Sequence, residues 1–242
     1  MTYPGSGATQ RPLVSPDPAG VSALAGTFPA PDPVPPLSRW QRAMARLSMP
    51  IGCGLAAVYT ACGAIAYLKY PVPFSPLRNW ISDLGHRDLN PDGAFVYNCG
   101  CGFAGTAVIA FFTTMTPWQA GATLRQRRLL LATQALGAFG GFALFMSAIY
   151  SKDRFDAHEL WSRMFFLCIT ATLCLSFLVS WRRDHPNLRL SSAALITTAV
   201  VLFSALFPDT SSAEWVAVGL ALIYVCVFGF ETSRLDSPPR QS

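Results

Sequence analysis

Charge is what this chain has least of. Asp, Glu, Lys and Arg supply 13% of its 242 residues, against 52% apolar ones, where soluble proteins carry roughly 25% charged residues. A soluble helical protein needs charged outer faces, and the long apolar stretches here cannot provide them. Histidine is scarcer still, with only His86, His158 and His185. A three-histidine zinc centre would need all three, yet the topology derived below puts the first two on one side of a membrane and the third on the other. Cysteine occurs seven times without a useful pattern. Cys99-Gly100-Cys101 is too tight for paired thiolate ligands, and no second pair at metal spacing accompanies it. No disulfide framework, metal or cofactor is therefore expected. Basic residues interleaved with aromatics on a soluble face are missing too, which argues against nucleic acid as a partner. A cleavable leader is not expected either, because the first long apolar run starts near Pro50 and reads as a retained helix.

What the sequence does have is length without charge. Crossing about 30 Å of hydrocarbon takes roughly 20 mostly apolar helical residues, since every backbone group must be satisfied within the segment. Six runs meet or approach this requirement: 50–68, 94–115, 129–150, 160–181, 190–207 and 215–230. The last two are short, and the sixth is bounded by Glu214 and Glu231. The expected fold is all-α, a six-helix transmembrane bundle spanning residues 38–231. Residues 1–37 form a Pro-rich tail with nine of the nineteen prolines, expected to be disordered because it cannot bury enough apolar surface to offset its ordering entropy. Residues 232–242 form a second tail. Gly137 and Gly141 make a GxxxG step that lets helices approach closely. Packing within the chain is the first expectation there, with a homo-oligomer as the alternative.

Lys and Arg placement sets the expected orientation. With six spans and a cytoplasmic N-terminus, the inner segments collect Arg11, Arg39, Arg42, Arg46, Arg125, Arg127, Arg128, Arg182, Arg183, Arg189, Arg234 and Arg240, twelve of the eighteen basic residues. Both termini are then cytoplasmic, in what is expected to be the plasma membrane. The overall charge of +5 reflects this topology and contact with anionic lipid at the inner leaflet.

One polar phrase interrupts the apolar pattern, Ser75-Pro76-Leu77-Arg78-Asn79-Trp80-Ile81-Ser82-Asp83-Leu84-Gly85, on the expected outer side between spans one and two. Ser75 suits an N-cap, Pro76 the first helical position and Gly85 a left-handed residue past the end, so the phrase predicts a helix over Pro76–Leu84. Leu77, Trp80, Ile81 and Leu84 share one face, with Trp80 suited to a headgroup boundary. Arg78, Asn79, Ser82 and Asp83 share the other. This describes a short interfacial helix across the outer mouth. Asn98 enters the second span early, Asp153 and His158 lie between spans three and four, and Asp209 and Glu214 lie between five and six. Ionisable groups at membrane depth are costly unless paired or functional. Arg78, Asn79, Ser82, Asp83, Asn98, Asp153 and His158 are accordingly the candidate outer-side polar site.

Three functional classes remain open on these residues. The first binds or handles a lipid-like or other amphipathic ligand, with membrane lipids as partners. The second is a lipid hydrolase or transferase using Ser82, Asp83 and His158 as nucleophile, acid and base. Adjacent Ser and Asp residues project about 100° apart on a helix, so that pair is not itself a triad. The third is a non-catalytic scaffold recruiting partners through its tail and inner arginines. The Ser75–Gly85 phrase, followed by Asn90-Pro91, Ala94 and Tyr97-Asn98, resembles the domain-of-unknown-function 998 family of multi-spanning membrane proteins, over roughly Pro50 to Phe230. It is more distantly similar to the Frag1/DRAM/Sfk1 group, whose members carry an Ile-Ser-Asp phrase after the first span; that resemblance implies lipid and membrane handling. The turn after span three departs from the family pattern, with Ser151-Lys152 standing where Phe-Pro usually precedes the Asp.

Overall fold

Each apolar run is helical in the computed structural model, which describes residues 35–181, 187–206 and 210–236. Helix α1 spans Arg39–Leu68, α2 Ala94–Thr113, α3 Leu124–Ile149, α4 Phe155–Trp181, α5 Leu188–Leu206 and α6 Ser211–Ser233. Short 3₁₀ turns cover Ile81–Gly85, Thr116–Gln119 and Arg234–Asp236. Five helices are long and apolar enough to cross a membrane by length and composition, and α5 is a shorter apolar helix. The expected disordered tail lies outside the described residues up to position 34, as do His185, Asp209 and the C-terminal tail from 237 onward.

Several helices begin before their apolar stretch does, and the cause is local capping. Ser38 and Gln41 form a reciprocal capping box, with Gln41 N–H donating to Ser38 Oγ at 3.2 Å and Ser38 N–H to Gln41 Oε1 at 2.9 Å. Helix α1 therefore starts at Arg39, and Pro50 sits inside it rather than at its start. Thr123 and Gln126 repeat the device at the start of α3. Helix α4 starts at Phe155, which places His158 and Glu159 inside the helix rather than in the preceding loop. Glu214 and Glu231 do not bound α6 either. Both lie within the helix, and both have partners that offset their burial. Glu214 accepts from the Ile81 amide at 2.9 Å, and Glu231 accepts from Asn187 Nδ2 at 2.8 Å and faces Arg189 and Arg234.

The helices form a ring in which each packs on its neighbours in sequence and α6 returns to α1. Lipid tails are as apolar as leucine, so such contacts depend on close packing rather than on expulsion of water. Two crossings show how the sequence allows it. A Cβ on Gly105 would lie 2.6 Å from the Gly141 carbonyl oxygen, and one on Gly141 would lie 2.7 Å from the Gly105 oxygen. The GxxxG step of α3 is thus used inside the chain, against α2. Gly52 and Gly229 make the equivalent approach between α1 and α6, where Ser48 Oγ also donates to the Gly229 carbonyl at 2.8 Å. Gln134 serves as an inter-helix bond, donating to the Phe112 carbonyl at 3.1 Å.

The two ends of the ring differ. The base, where α1 begins, is filled by Phe111, Phe112, Phe228 and Trp118, with Phe111 and Phe228 ring centres 5.5 Å apart. Trp118 Nε1 donates to Thr232 Oγ1 at 2.8 Å there, and Arg46 pairs with Asp236 at 2.7 Å. At the mouth, where α1 stops and α2 starts, the ring is covered by the Ser75–Gly85 segment.

Candidate functional site

The mouth segment is not the α-helix over Pro76–Leu84 that its punctuation predicts. Residues 75–79 make a turn in which the amides of Arg78 and Asn79 donate to the Ser75 carbonyl at 2.9 and 2.8 Å. Trp80 is extended, and a 3₁₀ helix then runs only from Ile81 to Gly85. The reason is competition for backbone groups, because neighbouring elements take the partners that a continuous helix would use. Pro76 and Asn79 carbonyls accept from Ser211 Oγ and Trp215 Nε1, and the Ile81 amide goes to Glu214. Asp83 turns back to accept from the Trp80 amide at 2.8 Å. The expected apolar face is also split. Leu77 is 78% exposed, whereas Ile81 and Leu84 are buried, so the 3₁₀ turn is inserted into the bundle instead of resting on it.

Gly85 differs from expectation as well, since Gly121 alone among the described residues has a positive φ. Its role is close approach. A Cβ there would lie 2.5 Å from Asn98 Oδ1, and Asn98 Nδ2 donates to the Gly85 carbonyl at 3.0 Å. Asn90 completes the anchoring from below. Fully buried, it donates through Nδ2 to the carbonyls of Ala66 at 3.1 Å and Leu84 at 2.9 Å, joining the end of α1 to the inserted turn.

Lys152 makes the connection to the α3–α4 loop. Its ammonium pairs with Asp83 Oδ1 at 2.5 Å, with side-chain exposures of only 18% and 12%, and lies 5.7 Å from the Trp80 ring centre. Asp153, the next residue, turns elsewhere. Burial pushes its carboxyl up, but bonds from the Ser151 hydroxyl and its own backbone, together with Arg87 and His86, outweigh this and hold it below the usual carboxylate range. Its ion pair with Arg87 is long, 3.9 Å.

Beneath the inserted turn the ring encloses a cavity of about 100 Å³, with lining residues from all six helices. Its polar lining lies near the mouth: Ser82, Asn98, Ser147, His158, Ser162 and Glu214. Deeper in, Val108, Ile169, Leu173, Leu222 and Val225 dominate, beside the Tyr224 ring. Tyr59 and Tyr97 sit between the two regions with hydroxyls 3.1 Å apart. From Asn98 to Val108 the cavity descends about 15 Å at 1.5 Å per residue, about the depth of one leaflet.

The seven candidate residues therefore separate. Ser82, Asn98 and His158 share the cavity. Asp83 is buried beside it, held by Lys152 and the Trp80 amide. Asn79 closes the preceding turn by accepting from the Ser75 amide at 3.0 Å. Arg78 is exposed, and Asp153 faces Arg87. The common helical face expected for Arg78, Asn79, Ser82 and Asp83 does not form, because the chain is extended at Trp80. His158 Nδ1 lies 3.1 Å from the Ser147 carbonyl and 2.9 Å from that of Tyr150. Both neighbours are acceptors, so Nδ1 carries a proton, and Nε2 is the nitrogen left to accept in that tautomer. Lys152 and Glu214, which the sequence places among the outer-side ionisable groups but not in the candidate site, are its partners. An ionisable residue at each edge of an apolar run was the available signal. Among the described residues, no three His, Cys, Asp or Glu side chains gather as a metal site.

The family model described as "Protein of unknown function (DUF998)" matches residues 50–230, about three-quarters of the chain. The chain belongs to the DUF998 family. The match begins within α1 and ends in α6, so it takes in the mouth segment, the cavity and every residue just described. No curated protein and no solved structure matches the chain. Membership thus agrees with a multi-pass membrane protein, and the cavity carries the chemistry.

Proposed function

We propose that this DUF998 protein binds an amphipathic, lipid-like molecule, with its polar head under the Ile81–Gly85 turn and its apolar part directed toward the middle of the membrane. The observation behind this reading is the polarity gradient along one cavity, from Glu214, His158 and Asn98 to Leu173 and Val225. Binding sites of this kind are mostly apolar with a few placed polar groups. The excess of arginine at the base supports a cytoplasmic base and a mouth facing outward, in the plasma membrane.

A hydrolase or transferase using Ser82, Asp83 and His158 has weaker support. A triad needs its acid on the base, whereas Asp83 is bonded to Lys152 and Trp80, and His158 Nδ1 is bonded to backbone carbonyls.

The test is to purify the full chain in a maltoside detergent and identify retained amphiphiles by native mass spectrometry. Ala221→Phe places a ring at a cavity-lining position and is expected to remove most of the bound species. Unchanged retention would refute the cavity as the binding site.

A further inference from the structure

The polar end of the cavity combines three acceptors with the hydroxyls of Ser82 and Ser162, which can donate or accept. Asn98 commits Nδ2 to the Gly85 carbonyl, leaving Oδ1 as its acceptor. His158 commits Nδ1–H to the Ser147 and Tyr150 carbonyls, leaving Nε2 as an acceptor. Glu214 accepts one amide hydrogen bond, from Ile81, and the Ser82 backbone also faces it. Its carboxylate has capacity for further donors. No Lys or Arg lines the cavity among the described residues.

Charge at the mouth leads to the same conclusion. Asp83 and Lys152 form a close pair and cancel one another. Lys152 also acts electrostatically on Glu214, but its hydrogen bond goes to Asp83. Glu214 is therefore left as the one acidic side chain lining the cavity among the described residues, with no Lys or Arg there to pair with it. A phosphate or carboxylate head placed there would meet a carboxyl group and further acceptors, with no Lys or Arg to pair with it. An ammonium group, which has three donors and no acceptor, fits this set of acceptors and brings its own charge to the Glu214 carboxyl.

Size restricts the ligand further. A cavity of about 100 Å³ holds about seven to ten water-sized groups, at roughly 10–15 Å³ each. That suits an amine head with the first part of one chain, but not two acyl chains.

Building on the cavity reading above, we infer that the ligand is a single-chain amphiphile with an ammonium head held by Glu214, His158 and Asn98. Two sources share this chemistry, an amine-headed lysophospholipid and a simple long-chain amine. The experiment titrates the full chain, in maltoside, with lysophosphatidylethanolamine, lysophosphatidylglycerol of the same chain, and dodecylamine, reading occupancy by native mass spectrometry.

The wild type is expected to favour an ammonium-bearing probe over lysophosphatidylglycerol by roughly tenfold, the scale of one charge-assisted hydrogen bond. Preference for dodecylamine alone would identify a simple amine, and preference for lysophosphatidylethanolamine would identify the phospholipid. Glu214→Gln retains an acceptor for the Ile81 amide and should abolish the preference. The double variant Asp83→Asn/Lys152→Met removes the neutral pair together and should keep it. Equal or tighter binding of lysophosphatidylglycerol, or an undiminished preference in Glu214→Gln, overturns the inference. If Ala221→Phe binds every probe as the wild type does, the cavity reading fails instead. If Ala221→Phe loses every probe and the wild type shows no ammonium preference, only the headgroup assignment is lost.

Discussion

Replacing Lys152 with Met removes the cation from a pair in which both side chains are more than four-fifths buried. Breaking a buried pair by deleting one partner typically costs about 3–5 kcal/mol, because the remaining charge is left uncompensated. Here the Trp80 amide still donates to Asp83 Oδ2, and some water reaches both groups. We therefore expect a loss of about 2–4 kcal/mol, lowered from that range for partial exposure and the surviving bond. For a chain of this length, 1 kcal/mol corresponds to roughly 2–4 °C, so the melting temperature should fall by about 5–12 °C. Asp83→Asn should cost less, since its amide oxygen can still accept from Trp80. Combined with Lys152→Met, it should cost about 1–2 kcal/mol less than the sum of the two single variants. The assay is thermal unfolding in detergent with a thiol-reactive fluorophore. Cys101 and Cys168 are buried in the folded chain and become reactive on unfolding, while Cys99 and Cys174 set the baseline. Two single variants that each shift melting by under 1 °C, with additive effects, would show that the pair does not hold the Ile81–Gly85 turn in place.

Two further outcomes follow from the mouth. Asn90→Ala leaves the buried Ala66 and Leu84 carbonyls without their side-chain donor, and should cost about 1–3 kcal/mol in the same melt; a neutral result would contradict the anchoring role. For orientation, cysteines introduced at Asp88 near the mouth and Leu124 near the base, in a background free of native cysteine, should be labelled from outside the cell at Asp88→Cys only. The opposite pattern would reverse the proposed topology.

The helices themselves were legible because a membrane span is a local property. Apolar length without charge specifies a helix that must satisfy its own backbone, and the six expected runs match the six observed helices. Hydropathy places the helix starts too late, although Ser38-x-x-Gln41 and Thr123-x-x-Gln126 are capping signatures visible in the sequence. Hydropathy follows the hydrocarbon boundary, whereas a cap follows the backbone, and in α1 the two differ by eleven residues, Arg39 against Pro50.

The mouth segment shows where local reading stops. Ser75, Pro76 and Gly85 punctuate a helix well, and helical periodicity gave Trp80 and Leu77 a common face. Glu214, Ser211, Trp215 and Lys152 lie more than sixty residues away in sequence, and they take the groups on which that helix depended. The same long-range contacts decided the candidate site. Ser82, Asn98 and His158 share a cavity because α2, α4 and the inserted turn converge, and Arg78 and Asp153 lie outside it.

By itself, the sequence determined that this is an all-helical, multi-pass membrane protein of the DUF998 family, since length, apolarity and a contiguous phrase are carried by neighbouring residues. Only the tertiary structure decided that the Ser75–Gly85 phrase is an inserted turn, that Glu214 is the carboxylate facing the cavity, and that Lys152 belongs to Asp83. Those are pairings between distant residues, and each depends on which desolvated group finds a partner once the ring of helices has closed.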